Sequence, residues 1–562
     1  MRGRSAVVAL ALALLASGAA WAQGGAARPS EQDIFGAPSQ PAAPTSPADK
    51  PAPAQPAPPP LAPGSSEPPA AAAESPGQAP PSPPPPSLGS DPGTARDQDV
   101  LGAAGDEPKH LSDYQAPDNP LQIGGQIYLR AQTSALQGQT PDQWRLSAPS
   151  LVDAFFDARP NPRVRAFILG RMNYDPTAPP GDMVTANSMD MMGALTGTSV
   201  TGFSTFSTQR GPTTILDQMW IRFDILERVF VTVGKQHVRW GTGRFWQPTD
   251  YLHPVKRNPL DVFDARPGAS MLKLHVPWEE RGWNFYGFGI FEDPNNASSQ
   301  LNQVADGTRA EIVLGGAEIG IDGLVKRGQN PRLGIDISTG IWDFDVYADV
   351  AIRWAEDFNT VRQVDPPAGV MCTNPDGTTT VVDDLSQQYQ VVPLGTGITT
   401  QAVGGINWSR KYNDNDLFTI GAEYFYNQPG YSDASLYPGL LFNNLHTPML
   451  NFFYTGKQYA SLFVSLPAPY SWNYTTFTLS TLANLSDWSA VTRLDYSLTL
   501  LTHLTLQAFA GVHYGTREGE FRLGFDIAAQ TVLRPDGTCQ IIDPITQQPA
   551  ILDLGVALRV KI

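Results

Sequence analysis

Several segments of this chain alternate apolar and polar residues for about ten positions, and this pattern constrains the fold more than any other feature. The clearest cases are residues 346–354, 418–427, 504–514 and 552–562. A period of two residues indicates β-strands, because successive side chains of a strand point to opposite faces. Strands of about ten residues are long enough to cross a bilayer with a tilt.

The polar faces of these strands carry charges and glycines, which favours a transmembrane barrel over a soluble β-sandwich with the same alternation. A sheet in lipid must close on itself, because its edge groups have no water to bind. Short turns, such as 160–162 and 342–344, also alternate with long loops, such as 176–214 and 355–399. We therefore predict an all-β fold, a closed antiparallel transmembrane β-barrel of about 16–18 strands over residues 120–562.

The first 22 residues have the three parts of a secretory signal peptide. Arg2 and Arg4 precede an apolar run over residues 6–15, and Ala20-Trp21-Ala22 fits the small-x-small cleavage pattern. A membrane anchor is the alternative, but a run of this length is too short to span a bilayer as a helix. No later stretch of about 18 apolar residues occurs, so we expect no spanning helix.

Residues 23–119 are rich in proline and alanine, and we predict a disordered periplasmic arm because such a chain cannot bury a core. Within the arm, residues 31–37 are echoed by residues 97–103. The echo is either coincidence in a biased sequence or two copies of a docking motif for a periplasmic protein, which would raise avidity. The motif residues are Asp33, Ile34, Phe35, Asp99, Val100 and Leu101.

Composition excludes several classes of function. The net charge of −16 argues against nucleic acid as a partner. The two cysteines, Cys372 and Cys539, fall in predicted extracellular loops and are either bridged across the barrel mouth or separate thiols. The histidines are scattered and no nucleophile motif appears, so we predict no metal, no cofactor, no catalytic residues and no enzyme activity.

Two segments of the sequence resemble segments found in porin-like outer-membrane proteins of Gram-negative bacteria. One runs from Trp240 through Asp250 and continues to Gly268, and the other covers residues 152–172. The resemblance implies a cell outer-membrane location, contact with outer-membrane lipid, insertion by the barrel assembly machinery, and transport of small solutes. It leaves a homo-oligomer open. The chain ends in Ile562, where such barrels usually end in an aromatic residue.

The same resemblance assigns the third long loop, residues 241–267, to narrowing the pore. Its prolines stiffen it, and its charged residues are Arg244, Asp250, Lys256, Arg257, Asp261, Asp264 and Arg266.

The alternation of the early strands also predicts a basic cluster on the lumen wall. Such a cluster concentrates anions in a low-dielectric channel. Alternatively, these side chains pair with Asp153, Asp157 and Asp224 and only solvate the wall. The predicted pore-lining residues are Arg130, Arg165, Arg171, Arg222, Lys235, His237 and Arg239.

The sequence therefore favours a channel for passive or facilitated diffusion of small hydrophilic solutes, with a preference for anions. Two alternatives remain. One is a barrel-anchored interaction protein whose periplasmic arm docks a partner, and the other is the outer-membrane part of an export assembly.

Overall fold

A computed structural model describes most of residues 120–562. The signal peptide, the arm and both docking motifs lie outside the described residues and stay predictions. The described ranges are 120–177, 212–253, 256–261, 266–291, 304–365, 369–374, 377–382, 388–412, 416–443, 451–470, 472–501, 503–527, 530–533, 539–542 and 544–562.

The described residues form a closed antiparallel barrel of 18 strands, which confirms the predicted fold class. Each strand pairs with its neighbours in sequence, and the last strand pairs with the first, with Leu129 opposite Leu558. The strands are β1 Leu121–Leu136, β2 Ser150–Asn161, β3 Val164–Tyr174, β4 Thr213–Ile225, β5 Val229–Gln236, β6 Ala269–Trp278, β7 Trp283–Ile290, β8 Ala305–Leu314, β9 Ala317–Val325, β10 Arg332–Ile341, β11 Phe344–Trp354, β12 Ile398–Lys411, β13 Leu417–Asn427, β14 Gln458–Pro467, β15 Thr475–Asn484, β16 Ser489–Leu500, β17 Leu504–Gly515 and β18 Ala550–Lys561.

The loops contain shorter elements. Among the described residues, one α-helix, α1, spans Tyr437–Asn443, and 3-10 turns span Pro141–Gln143, Glu279–Arg281, Ala355–Asp357 and Ala434–Leu436. Short loop strands span Arg145–Ser147, Asn359–Gln363, Val370–Thr373, Thr379–Val382, Tyr389–Pro393, Phe525–Ile527, Gln530–Leu533, Cys539–Ile542 and Ile545–Gln547. No helix among the described residues is both long enough and apolar enough to cross a membrane.

The two ends of the barrel differ in their connections. The backbone groups of Ile562 exchange two hydrogen bonds with Gly125, at 3.0 and 2.9 Å, and so mark one end. All the connections at that end are short, as at 226–228 and 342–343. The opposite end, the loop end, carries the long connections, including 355–397 and 516–549. This asymmetry is typical of bacterial outer-membrane barrels.

The barrel is inverted relative to a soluble protein. On β1, Leu129 points outward and is 48% exposed, whereas its neighbour Arg130 points inward and is 6% exposed. Other strands repeat this arrangement, with Ile168 exposed on β3 and Arg171 buried beside it. The alternation of the sequence therefore separates an apolar outer face from a polar inner face.

Inward aromatic rings lie across glycines of neighbouring strands. A Cβ atom on Gly421 of β13 would stand 2.1 Å from the Phe463 ring of β14. Tyr347 covers Gly405 in the same way. A glycine in a strand often marks such a close approach, and these pairs let large rings lie flat along the inner wall.

We expect Gly421→Val to destabilise the barrel by about 1–3 kcal/mol, because an added side chain overpacks a tight contact. The Phe463 ring cannot withdraw, since the guanidinium carbon of Arg244 lies 3.5 Å from its centroid on the lumen side. Urea unfolding in lipid vesicles measures the loss. Gly404→Val is the matched control, because a Cβ there meets no atom within 4 Å. Equal stability of the two variants would contradict the packing argument.

Candidate functional site: the lumen and its inserted loop

The connection between β5 and β6 is residues 237–268, and we call it the inserted loop. Its described residues, 237–253, 256–261 and 266–268, lie inside the barrel. Trp246 is fully buried there. Its ring packs against Phe425 and Tyr459, each with centroids 5.5 Å apart, and its indole Nε1 donates to the carbonyl of Phe453 at 2.8 Å. These partners come from β13, β14 and the loop end, so the segment is anchored across the lumen from its own strands.

Glu423 of β13 holds the tip of the inserted loop. Its carboxylate accepts the backbone N–H groups of Arg244, Phe245 and Trp246 at 2.7, 3.1 and 3.0 Å. It also accepts the Tyr347 hydroxyl at 2.8 Å. Hydrogen bonds to an ionised acceptor are the stronger kind, so four donors on one carboxylate fix the tip firmly.

Further contacts extend this anchoring along the wall. The Thr249 hydroxyl donates to Asp349 at 3.1 Å, and the Tyr251 hydroxyl donates to the carbonyl of Leu333 at 2.7 Å. Gly241 has a φ of 93°, and a Cβ there would stand 2.3 Å from an Asp349 oxygen. The loop therefore lies directly against the inner face of β10 and β11.

Among the predicted loop charges, Asp250 and Arg266 form an ion pair within the loop. Asp250 accepts from Arg266 at 3.0 Å and lies 3.2 Å from the His253 ring nitrogen. Burial opposes ionisation of Asp250, but His253 and Arg266 outweigh it and lower the pKa of the carboxyl group. The Lys256 ammonium donates to two carbonyls, at 3.3 and 3.4 Å. Arg257 and Asp261 are half-buried, and Asp264 lies outside the described residues.

Four of the predicted pore-lining residues lie on the inner wall, and two of them are paired with acids. Arg171 makes hydrogen bonds of 2.7 and 2.9 Å to Asp153, and Arg165 bonds Asp157 at 2.9 Å. The guanidinium of Arg222 lies 5.5 Å from the Phe230 ring centroid. The pairing that the sequence left open therefore occurs at Arg165 and Arg171.

The prediction that Lys235 faces the lumen is wrong. Lys235 lies opposite Met219, which points outward and is 49% exposed, and it shares the parity of the outward Val233. Strand β5 ends at Gln236, so His237 and Arg239 belong to the inserted loop rather than to a lumen-facing strand. His237 lies 3.1 Å from Asp217, and Arg239 donates to the carbonyl of Gly243 at 3.0 Å.

The sequence analysis missed several inward charges that the alternation of later strands implies. Arg309 of β8 bonds Glu311, Asp322 and Asp336 at 3.0, 3.2 and 2.7 Å. Asp349 lies directly opposite Asp336 in the β10–β11 register. The inner wall from β8 to β11 is therefore acidic. Further buried basic residues lie elsewhere on the inner wall, at Lys273, Arg493 and Arg559.

Cys372 and Cys539 form a disulfide with a Cα–Cα distance of 5.0 Å, so the bridged alternative is the one that the structure shows. The bridge joins two loop hairpins that are 167 residues apart in sequence. One hairpin follows β11 and the other precedes β18, so the link crosses the loop end of the barrel. No group of three or more His, Cys, Asp or Glu residues in the described part of the chain is arranged to hold a metal ion.

No family model and no curated protein matches this chain. Its similar solved structures include outer-membrane porins. A mutant of the Rhodopseudomonas blastica porin is 11% identical, with 79% of this chain and 100% of that chain covered and a TM-score of 0.34. Acinetobacter baumannii OccAB1 is 9% identical, with 79% and 97% covered and a TM-score of 0.39. Pseudomonas aeruginosa OccK9 is 7% identical, with 79% and 98% covered and a TM-score of 0.42.

Proposed function

We propose that this protein is an outer-membrane channel for small hydrophilic solutes, narrowed by the inserted loop. The observation that carries the proposal is the inverted barrel. Its outer face exposes apolar side chains on many strands, among them Ile221 of β4 and Ile335 of β10. A soluble protein rarely exposes so large an apolar surface, whereas a bilayer covers it.

The arrangement of the inserted loop supports a pathway along one side of the lumen. Beyond His237, which lies beside Asp217 of β4, its anchors lie on β10, β11, β13, β14 and β16. The basic side chains of β3 and β4, which include Arg165, Arg171 and Arg222, lie on another part of the wall. We place the solute pathway between the inserted loop and this basic wall.

A preference for anions follows from the inward charges that remain on that wall once the ion pairs of Arg171 and Arg165 are set aside. Asp153 and Asp157 balance Arg171 and Arg165, but basic residues outnumber acids among the other inward positions of β1, β4 and β6. Charges inside a low-dielectric wall focus the field along the pathway and select ions by sign. The residues that we expect to set the selectivity are Arg130, Arg222 and Lys273.

The test is to recover the full-length protein from the outer-membrane fraction and record its conductance in planar bilayers. We expect discrete single-channel currents and a reversal potential of anionic sign in a KCl gradient. Arg222→Glu with Lys273→Glu should shift the selectivity toward cations. Arg228→Glu, in an exposed turn, is the control and should leave it unchanged. Protein without conductance, or found only in the aqueous fraction, would overturn the proposal.

The anion preference should also depend on pH through Lys256. Burial lowers the pKa of Lys256 from 10.5 to about 8. Its ammonium is therefore present below pH 8 and lost above it, so the anion-to-cation permeability ratio should fall between about pH 7 and pH 9. Lys256→Met should remove this step, and Lys256→Arg should keep the ratio high throughout. A step of equal size in Lys256→Met would assign it to another group.

A further inference from the structure

A cluster of two arginines and one aromatic ring lies on the inner wall of the barrel. Its members are Arg130 of β1, Arg493 of β16 and Phe509 of β17. The guanidinium carbons of Arg130 and Arg493 lie 4.8 and 4.1 Å from the centroid of the Phe509 ring. The Phe509 ring lies against the backbone of Gly555 on β18, where an added Cβ would stand 2.2 Å from the ring. This contact holds the ring in place. The two positive charges are thus held at defined positions against one aromatic surface.

The two arginines differ in their hydrogen bonds. Arg493 donates to Asp495 through Nε at 2.9 Å and Nη2 at 2.6 Å, and through Nη1 to the carbonyl of Leu260 at 3.0 Å. Arg130 is 94% buried, and its Nε has no hydrogen-bond partner among the described residues. An unpaired polar group at such depth is destabilising, and more so when it is charged.

Two aspartates lie near the two arginines, but neither of them forms an ion pair with Arg130. The charged groups that act on Arg130 include Arg493, Asp261 and Asp495. Arg493 repels it, and Asp495 is already hydrogen-bonded to Arg493. Asp261 belongs to the inserted loop, so the cluster lies where the wall and the loop approach each other.

We propose that Arg130 and Arg493 form a binding subsite for a compact oxyanion, the carboxylate or phosphate group of a solute passing through the lumen. This inference rests on the proposed channel function and adds a discrete site to it. A guanidinium binds a planar or tetrahedral oxyanion through parallel N–H donors, and Arg130 has donor capacity for it. Arg493 supplies the second positive charge, and the Phe509 ring sets the spacing of the two.

The experiment measures block of the chloride current through the full-length protein in planar bilayers. Sodium acetate and inorganic phosphate, titrated separately against KCl, represent the two sources of the oxyanion. We expect at least one of them to reduce the current in a saturable manner, and Arg130→Gln to raise the half-blocking concentration about tenfold. Arg228→Gln removes an exposed arginine in a turn outside the lumen and should change that concentration less than twofold.

The outcomes separate the subsite from the channel. If chloride current is recorded but neither anion blocks it in a saturable manner, the proposed subsite is wrong and the proposed channel function still stands. Equal weakening by Arg130→Gln and Arg228→Gln also overturns it, because the block would then depend on the overall charge of the protein rather than on the cluster. Absence of any current refutes the channel function and the subsite with it. Block by phosphate alone, or by acetate alone, supports the subsite and identifies its source.

Discussion

Removal of residues 242–260, bridged by two glycines, is expected to raise the single-channel conductance several-fold. This segment carries Trp246 and all three backbone N–H groups that donate to Glu423. Its deletion therefore removes the part of the inserted loop that fills the lumen. The wall should survive, because Glu423 and Asp349 then face water rather than an apolar interior. Single-channel recording measures the conductance. A difference in gel mobility between unheated and heated samples checks that the barrel is still folded.

Glu423→Gln is the companion to this deletion. The amide keeps the shape of the carboxylate but is a weaker acceptor and adds two donors that face other donors. We expect a chain of normal stability whose current fluctuates between the wild-type level and a higher one, as the tip leaves and rejoins β13. Unchanged conductance in the deletion variant would show that the inserted loop does not narrow the pathway.

The largest expected loss of stability follows Arg309→Ala. Arg309 is the shared hydrogen-bond partner of Glu311, Asp322 and Asp336, all of them buried. Removing one partner of a buried ion pair costs about 3–5 kcal/mol, because the charge that remains is uncompensated. Three carboxylates remain here, and Asp349 adds a fourth opposite Asp336. Urea unfolding in lipid vesicles measures the change.

Arg517→Ala is the matched control for this variant. Arg517 pairs with Asp526 in a loop, with side-chain exposures of 37% and 52%. Exposed pairs contribute about 0–1 kcal/mol, so the control should unfold close to the wild type. Restoration of stability in Arg309→Ala by a second change, Asp336→Asn, would assign the loss to unpaired charge. If Arg309→Ala unfolded like the control, water in the lumen would be screening the acidic wall.

Local pattern explains why much of the fold was predictable. Side-chain alternation needs only neighbouring residues, and in residues 552–562 it already separates the outer from the inner face. The lengths of the connections similarly predict which end carries the loops. The prediction for Lys235 went against this rule, since Lys235 has the same parity as the outward Val233. For His237 and Arg239 the reason is different, because alternation does not reveal that β5 ends at Gln236.

The site depended on contacts that no local pattern encodes. Glu423 and the tip of the inserted loop are about 180 residues apart, and Cys372 lies 167 residues from Cys539. Their meeting requires closure of the barrel and one particular register. The sequence by itself determined an inverted barrel with an apolar outer face, because burial periodicity is a property of each strand. Only the tertiary structure decided which charges are paired and which group, such as the Nε of Arg130, lacks a hydrogen-bond partner among the described residues, since pairing depends on what the closed sheet brings together.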